Sequence, residues 1–302
     1  MERSPADGRS PLLSAVVVHW RDEESLRRLL DAWPDDPTFE LLVVDNGSTL
    51  VSLPPPARLV RPGRNLGFAG GANRGAREAR SELVLLLNPD ARPEPGALEA
   101  MVAGARRYPE AAGLAPRLVG EDGEPQARWQ LRPLPAPWQL VLHALFVDFV
   151  RGAEPAAGAA VAQPAAAALL LRARVWRDHG GLDESFHPAW FEDVDLARRL
   201  ADGGEWIVYW PAAVFRHARG GSLPALGYGA FLAAYYANLV RYLGKHHGPA
   251  WAILARAAIV AGMTLRLAAL PLRCPRRARS RREAARGLTR ALWAGVRGGR
   301  RG

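Results

Sequence analysis

Hydrophobic residues in the first part of the chain fall in short apolar runs separated by amphipathic stretches. The runs have the length and the β-branched content of buried parallel strands. The predicted strands are Leu12–His19, Leu41–Val44, Arg58–Val60 and Leu83–Leu87. The predicted helices are 22–30, which has acids in its first turn, Phe68–Arg80 and Gly96–Tyr108. This alternation predicts an α/β fold with a mostly parallel sheet and helices on both faces.

The second half of the chain is less regular. Prolines and an alanine- and glycine-rich stretch interrupt residues 115–165, which we expect to form loops and a flap around a helix near Trp138–Val147. Further strands are predicted at Ala167–Leu171 and Trp206–Tyr209, and helical segments at Val175–His179 and Val194–Ala201. We therefore expect a flexible N-terminus (1–11), one α/β domain (12–240) and a helical tail (241–302).

Charge is distributed unevenly along the 302 residues. Residues 1–240 contain 25 arginines and 29 acidic residues, whereas residues 241–302 contain 15 basic residues and one acid, Glu283. The basic character is thus a property of the tail. The polar N-terminus lacks the apolar run of a signal peptide, and Cys274 is the single cysteine, so a cytoplasmic protein is expected.

The tail combines an apolar helical face with a cluster of arginines. The apolar face is predicted at Trp251, Leu254, Ala255, Ala258, Ile259, Gly262 and Leu265. The arginines that follow are Arg273, Arg276, Arg277, Arg279, Arg281, Arg282 and Arg286. We do not expect this run to span a bilayer, because it is too short and because Arg256 and Arg266 make it too charged. We expect a peripheral anchor on anionic lipid at the inner face of the plasma membrane; the alternative is a packing helix with a solvated tail.

A nucleic-acid-binding protein is a second alternative suggested by the high pI. No aromatic residues interleave with the arginine cluster, and no recognised nucleic-acid-binding motif is present. We therefore expect no nucleic-acid partner.

Polar clusters follow three of the predicted strands. They are His19-Trp20, Asp45-Asn46-Gly47-Ser48 and Asn88-Pro89-Asp90. Ligands of parallel α/β sheets bind beyond the carboxyl ends of the strands, so these clusters predict the position of a site.

Acidic residues supply the candidate chemistry. Asp90 follows a strand, and Glu192, Asp193 and Asp195 lie within an apolar stretch about a hundred residues later. Carboxylates among apolar residues need solvent, a partner or a cation, and oxygen ligands suit Mg²⁺ or Mn²⁺ shared with substrate phosphates. The alternative is that Asp90 only turns the chain and that Glu192 and Asp193 cap a helix.

Six motifs occur in one order along residues 12–222. They are VVDNGS at 43–48, NLGFAGGANRG at 65–75, LNPD at 87–90, GLDESF at 181–186, FEDVDL at 191–196 and HARGGS at 217–222. In this order and spacing the chain resembles family 2 glycosyltransferases, specifically the rhamnosyltransferase-like branch.

The resemblance implies a GT-A fold, a nucleotide-binding half at 12–110 and an acceptor and catalytic half at 111–240. It implies an inverting, metal-dependent transfer from a nucleoside diphosphate sugar, with dTDP-rhamnose favoured, to a polyprenyl-linked saccharide in cell-surface polysaccharide synthesis. Asp193 would be the catalytic base, with Glu192 as the alternative, and Asp90 and His217 would bind Mg²⁺ or Mn²⁺. The implied nucleotide-sugar contacts are His19, Asp45, Asn46, Asn65, Gly67, Asn73, Asn88 and Asp90.

Two readings compete with parts of this assignment. His217 has an alternative as an ordinary hydrogen-bonded loop histidine, and the whole chain could bind a sugar nucleotide without catalysing transfer. The chain departs from the family pattern at Ala166-Ala167, His19-Trp20 and the segment 187–190. These are acceptor-side or sugar-side positions, so the departures bear on the identity of the sugar.

Overall fold

The structure is a computed structural model. It describes residues 10–47, 50, 52–145, 152–218, 226–272, 275, 278 and 280–297. Predictions that fall on Ser48, on residues 1–9, 146–147 and 219–222, and on Cys274, Arg273, Arg276, Arg277 and Arg279 lie outside the described residues.

Nine strands in the described part of the chain form one mixed sheet. The strands are β1 (Leu13–His19), β2 (Phe39–Asp45), β3 (Arg58–Val60), β4 (Leu83–Leu87), β5 (Ala91–Pro93), β6 (Gly113–Val119), β8 (Ala160–Val161), β10 (Ala168–Arg172) and β11 (Ile207–His217). Their order is β3-β2-β1-β4-β10-β6-β11-β5, and β8 also pairs with β11. Six strands share one direction, while β5, β8 and β10 run opposite to them. A small second sheet pairs β7 (Leu131–Arg132) with β9 (Gln163–Pro164).

Helices cover both faces of the large sheet, as the sequence predicts. The flanking helices are α1 (Glu23–Ala32), α2 (Gly67–Glu78), α3 (Ala97–Arg107), α6 (Ala173–Asp178) and α7 (Glu192–Asp202). On one face α1 and α3 pack through Leu26, Leu29 and Met101; on the other, α2 and α7 contribute Ala72 and Leu196. Every residue of β1 is buried, which explains why its apolar residues do not alternate with polar ones.

The expectation of loops across residues 115–165 is wrong for its first part. Strand β6 lies between β10 and β11 near the middle of the sheet. Pro116 interrupts its pattern, so the strand gives no clear signal in the sequence. Strand β11 likewise extends well beyond the predicted end at Tyr209, because a register shift between Trp210 and Val214 accommodates Pro211 within the strand.

A third hydrophobic cluster is formed by the C-terminal helices. These are α8 (Tyr228–His247), α9 (Pro249–Ala269) and α10 (Arg281–Arg297), which pack together with α5 (Pro137–Leu145); α4 (Ala127–Gln130) is a single turn. Phe186, Phe191 and Val194, which surround the acidic motif, pack in this cluster. The predicted domain boundary at residue 240 falls within α8, and the two helices that follow pack on α8.

Helix α9 differs from its prediction in length and in its packing. It has 21 residues, and its most apolar window has a mean hydropathy of 1.6. By length and composition the helix could therefore cross a bilayer, although core helices of soluble proteins also meet these criteria. The prediction that this run is too short and too charged is therefore not supported. In addition, Ala255, Ala258 and Ile259 of the predicted membrane-facing side are buried against other helices.

Candidate active site

The polar clusters predicted from the sequence meet at one edge of the sheet. His19 and Asp45, the last residues of β1 and β2, are direct neighbours in the parallel register. The turn after β4 carries Asn88 and Asp90, and antiparallel β10 begins at this same edge. His217 ends β11 and pairs with Ala91 of β5, the residue after Asp90. A short strand that was not predicted thus holds Asp90 next to His217.

Asp90 and His217 form the core of the candidate metal site. Nε2 of His217 lies 3.4 Å from Oδ1 of Asp90, and both side chains are almost fully buried. Gln126 fixes the imidazole: its Nε2 donates to the carbonyl of His217 at 2.8 Å, which directs its Oε1 to Nδ1 of His217 at 2.9 Å. Because Oε1 is an acceptor, Nδ1 carries the proton and Nε2 of the neutral ring keeps its lone pair.

Two electron-pair donors therefore face each other at the end of β11, and a proton or a cation must bridge them. A histidine whose other ring nitrogen donates to a fixed oxygen is the usual arrangement of a metal ligand. Trp129 stacks on the imidazole with ring centroids 5.2 Å apart, which holds the plane of the ring. Among the described residues no group of three or more His, Cys, Asp or Glu side chains converges on one point. A cation held here would therefore need further ligands from substrate phosphates or water.

The segment Ala166–Ala167 joins Asp193 to the Asp90 turn. The backbone N–H of Asn88, two residues before Asp90, donates to the carbonyl of Ala167 at 2.8 Å. The backbone N–H of Ala166 faces the carboxylate of Asp193 and favours its charged form, which lowers the pKa of that group. Residues separated by about a hundred positions in the sequence therefore flank the same dipeptide.

The two acids at the start of α7 have different surroundings. Asp193 is partly exposed; its Oδ1 accepts from the N–H of Val194 at 2.8 Å and its Oδ2 faces Nε2 of Gln163 at 3.5 Å. Burial raises its pKa, opposed by the positive charge of Arg132. Glu192 is buried, and its Oε2 has no hydrogen-bond partner among the described residues. Burial, followed by the charge of Asp193, raises the pKa of Glu192 well above its usual value.

Asp193 is consequently the better candidate base, since this residue is partly exposed whereas Glu192 is buried and its raised pKa favours the neutral form. Neither acid is the N-cap of α7, because that position is Phe191 and the helix begins at Glu192. Asp195, the third acid of the motif, is fully buried and pairs with Arg199, Lys245 and His246 at 2.6–2.8 Å. It links α7 to α8 and does not face the site.

The loop before α7 has an unusual backbone. Trp190 and Phe191 have φ of 77° and 75°, a region that non-glycine residues adopt only when the surroundings enforce it. Asn238 of α8, which is 1% exposed, donates from Nδ2 to the carbonyls of Ala189 at 2.9 Å and Trp190 at 3.2 Å. A side chain of the C-terminal helices thus holds the loop that presents Asp193.

The glycine-rich segment is shaped by two of the predicted ligand residues. Asn46 donates from Nδ2 to the carbonyl of Gly67 at 3.0 Å and accepts from the N–H of Leu66 at 2.8 Å. Oδ1 of the exposed Asn65 accepts from the N–H of Gly67 at 2.8 Å. Gly67 has a φ of +73°, and a Cβ there would lie 2.7 Å from the ring of His187. Asn46 therefore supports the loop through both ends of its amide, and its contact with the nucleotide sugar stays a prediction.

Asn73 and His19, two further predicted contacts of the nucleotide sugar, are also held within the protein. Asn73 exchanges hydrogen bonds of 2.8 and 2.9 Å with the backbone of Leu182 and donates to Glu184 at 3.0 Å, so it joins α2 to the GLDESF segment. His19 is 0% exposed, so its ring offers no surface to a ligand, and burial lowers the pKa of the ring. Asp45 accepts from the N–H of Leu50 at 3.1 Å. The partly exposed Asn88 remains a candidate contact.

Comparison with known proteins agrees with this arrangement. Residues 14–155 match the family model for glycosyl transferase family 2. An N-acetylglucosaminyl-diphospho-decaprenol L-rhamnosyltransferase from Mycobacterium tuberculosis is 28% identical over 306 aligned positions, which cover 90% of this chain and 96% of that relative. The chain belongs to glycosyltransferase family 2. Within the family it is similar to the rhamnosyltransferase branch.

Two further relatives of this glycosyltransferase agree at a coarser level. The pre-mycofactocin glycosyltransferase of M. tuberculosis is 30% identical over 223 positions, which cover 70% of this chain and 44% of that protein. The mannosyltransferase PcManGT from Pyrobaculum calidifontis, solved in complex with GDP-Man and Mn²⁺, superposes with a TM-score of 0.52 at 16% identity. That superposition covers 96% of this chain and 88% of the mannosyltransferase. At this identity the likeness shows the GT-A fold.

Four supporting residues of the glycosyltransferase site were not predicted from the sequence: Gln126, Trp129, Gln163 and Asn238. The first three lie in the irregular segment 115–165 of the second predicted half, where no periodic pattern indicated which side chains point inward. Asn238 could have been found, because it is a single amide in the otherwise apolar run Leu232–Val240 and lies on its buried face.

Proposed function

We propose that the protein is an inverting glycosyltransferase that uses a divalent cation and transfers a deoxyhexose, with rhamnose favoured, from a nucleoside diphosphate donor. The proposed donor is dTDP-rhamnose and the proposed acceptor is a polyprenyl-linked saccharide of cell-surface polysaccharide synthesis. The rhamnosyltransferase relative supports this choice, since its name specifies a diphospho-decaprenol acceptor. Such an acceptor would bring the reaction to the cytoplasmic face of the plasma membrane.

The observation that carries the proposal is that Asp193 and the Asp90 turn flank the dipeptide Ala166–Ala167. A transfer with inversion requires one carboxylate on the attacking side and stabilisation of the leaving diphosphate on the other. The pair of closely spaced carboxylates used by retaining enzymes is not needed.

Asp193 would act on the acceptor. Its carboxylate accepts the proton of the attacking hydroxyl as the new C–O bond forms at the anomeric carbon and the bond to the diphosphate breaks on the opposite side. The raised pKa brings this carboxylate closer to the pKa of an efficient base at neutral pH. The N–H of Val194 and Gln163 keep the carboxylate oriented during the transfer.

Asp90 and His217 would hold Mg²⁺ or Mn²⁺, which when bound neutralises charge on the diphosphate. The residues fit such an ion, because the tautomer set by Gln126 leaves a lone pair on Nε2 facing the carboxylate of Asp90.

The test is transfer from a panel of labelled nucleotide sugars to polyprenyl-linked acceptors, with and without EDTA. We expect Asp193→Asn to lower kcat by about 10²- to 10⁴-fold, the usual contribution of a general base. Asp90→Ala should lose activity and the response to added Mn²⁺. Asp202→Asn is the matched control, because Asp202 is an exposed acid at the other end of α7 that pairs with Arg198. Wild-type turnover in Asp193→Asn and Asp90→Ala would reject the assignment.

Calorimetry on the same samples separates transfer from binding. Nucleotide-sugar binding by the wild-type protein without any transfer would favour a non-catalytic sugar-nucleotide binder. Salt-sensitive binding to DNA or RNA that survives deletion of residues 241–302 would favour the nucleic-acid alternative.

A further inference from the structure

Helix α9 presents an outward face without charge. All residues from 249 to 272 are described, and none of those with exposed side chains is charged. The exposed positions are Pro249, Ala250, Ile253, Leu254, Ala257, Ala261, Thr264, Leu265, Ala268, Ala269, Pro271 and Leu272. The hydroxyl of Thr264 donates to the carbonyl of Val260 at 2.9 Å, so it is satisfied within the helix. A helix of this length makes the uncharged face about 30 Å long.

The contrast with a water-facing helix of the same chain is clear. Every exposed residue of α1 is charged: Glu23, Glu24, Arg27, Arg28 and Asp31. On α9, by comparison, Ile253, Leu254 and Leu265 are 65%, 51% and 57% exposed, and Leu272 just beyond it is 90% exposed. A contiguous apolar surface of this extent on a folded protein marks a contact with another apolar phase.

Helix α10 packs beside α9 and presents the opposite kind of surface. Its buried side contains Ala284, Leu288 and Ala291. Its exposed positions between 281 and 293 are Arg281, Arg282, Arg286, Thr289, Arg290 and Trp293. Arginines next to an apolar helix match a bilayer with anionic headgroups, and tryptophan is enriched at that interface.

We propose that the exposed faces of α9 and α10 together form a docking surface for an anionic lipid bilayer, with α9 lying in the interface. We expect docking on the surface of the bilayer and not a span across it, because the opposite side of α9 packs on the protein. On that side Ala255, Ile259 and Met263 are fully buried. A helix with one face committed to the protein core has only its other face for lipid. Of the periodic face visible in the sequence, only Leu254 and Leu265 are exposed, so the apolar residues that enter the bilayer are largely a different set.

The consequence for the proposed reaction is geometric. Helix α8, on which α9 and α10 both pack, also contributes Asn238 to the loop before Asp193. The docking surface and the catalytic loop are thus attached to the same helix, which would hold the site at the membrane where a polyprenyl-linked acceptor resides. The docking itself does not depend on which sugar is transferred.

The experiment is co-sedimentation of the full chain with vesicles of phosphatidylcholine alone and with about one third phosphatidylglycerol. We expect the double variant Ile253→Gln/Leu265→Gln to bind anionic vesicles on the order of thirtyfold more weakly, because two apolar side chains that would be removed from water on binding are replaced by polar ones. We expect Arg286→Gln/Arg290→Gln to lose roughly fivefold per arginine on anionic vesicles and little on zwitterionic ones.

Matched controls are available for both kinds of change. Leu12→Gln removes an exposed apolar side chain, 42% exposed, from another surface, and Arg106→Gln removes an exposed arginine from α3. All of these side chains are on the surface, so circular dichroism should report an unchanged fold. Wild-type vesicle binding by either double variant would overturn the proposal.

Two other outcomes would also overturn it. One is a dimer in the absence of vesicles, measured by light scattering, that dissociates in Ile253→Gln/Leu265→Gln, since the face would then be an interface with a second copy. The other is wild-type protein that resists alkaline carbonate extraction, which indicates a helix that crosses the bilayer. Calorimetry with soluble nucleotide sugars is independent of vesicles, so failure of the proposed function would be seen there and not in sedimentation.

Discussion

Replacement of Asn238 tests whether the C-terminal helices belong to the catalytic apparatus. The side chain is 1% exposed, and Nδ2 donates to two carbonyls of the loop before α7, at 2.9 and 3.2 Å. Asn238→Leu keeps the number and the branching of the side-chain heavy atoms and removes both bonds. Asn238→Ala removes the bonds and also leaves space for the loop to relax.

The magnitude follows from these two bonds. A buried carbonyl that loses its partner costs about 1–3 kcal/mol. Since two such groups are affected, a loop that keeps its position should destabilise the protein by about 2–6 kcal/mol. The loop also contains Trp190 and Phe191 at positive φ, each of which carries about 1–3 kcal/mol of strain that these bonds help to maintain. Relaxation of that strain would recover part of the stability and would move Asp193.

The assay combines stability with turnover. Chemical denaturation gives the loss of unfolding free energy, and kcat is measured at a temperature where each variant is fully folded. We expect kcat to fall by at least tenfold, while the Kd for the nucleotide sugar changes little, because Asn238 contacts only the loop before α7. Tyr242→Phe is the control: it removes a buried hydroxyl of the same helix that has no hydrogen-bond partner among the described residues, and it should be neutral or stabilising.

One result would refute the positioning role. If Asn238→Leu lowers stability by the expected amount while kcat of the folded variant equals that of the wild type, the bonds to the loop are structural only. If neither quantity changes, the two carbonyls do not depend on the amide at all.

Three further predictions concern the same region. Glu192→Gln should be as stable as the wild type below about pH 4.5 and increasingly more stable than it as the pH rises. The reason is that the pKa of the buried Glu192 is raised, so the fold favours the protonated acid and loses stability when the acid ionises. Thermal unfolding measured across pH should show this difference, and parallel profiles would contradict it. Gly67→Ala should lower the free energy of unfolding by about 2 kcal/mol or more and weaken nucleotide binding, because a positive φ is combined with a collision against residues 187–188. Gly96→Ala is the control: Gly96 also has a positive φ but open space around it, so the loss should be only about 1 kcal/mol. Equal losses of stability in the two variants would contradict the steric argument. Asp195→Asn should lower the free energy of unfolding by on the order of 3 kcal/mol in denaturant titrations, because it leaves the cations on α7 and α8 without their buried partner; an unchanged midpoint would show that the ion cluster contributes nothing.

The predictability of the fold varied with the regularity of the pattern. The strands from β1 to β4 and their helices were predicted within a few residues, because strands buried on both faces are continuous apolar runs and the helices between them have periodic apolar positions. Strand β6 was missed because Pro116 interrupts it, and β11 was predicted too short because a bulge at Pro211 continues it. The strands that pair with these two segments are not visible in the local sequence, so neither proline indicates that the chain continues as a strand.

The predictability of the site followed a similar division. The sequence by itself determined the edge of the sheet where the ligand binds and the residue types available there, since the carboxyl ends of parallel strands must share an edge. Only the tertiary structure decided the function of each side chain. The side-chain amides of Asn46 and Asn73 bond to the backbone, and Asp195 forms ion pairs. Glu192 is buried, which raises its pKa.

The same division applies to the tail. Its excess of arginine and its apolar helix were evident from composition and spacing, whereas the face that remains open to lipid was not. An apolar residue has the same preference for a protein core and for a bilayer, so periodicity alone cannot tell which of the two it meets. The packing of α9 against α8 and α5 assigns Ala255 and Ile259 to the protein and leaves Ile253 and Leu265 on the surface.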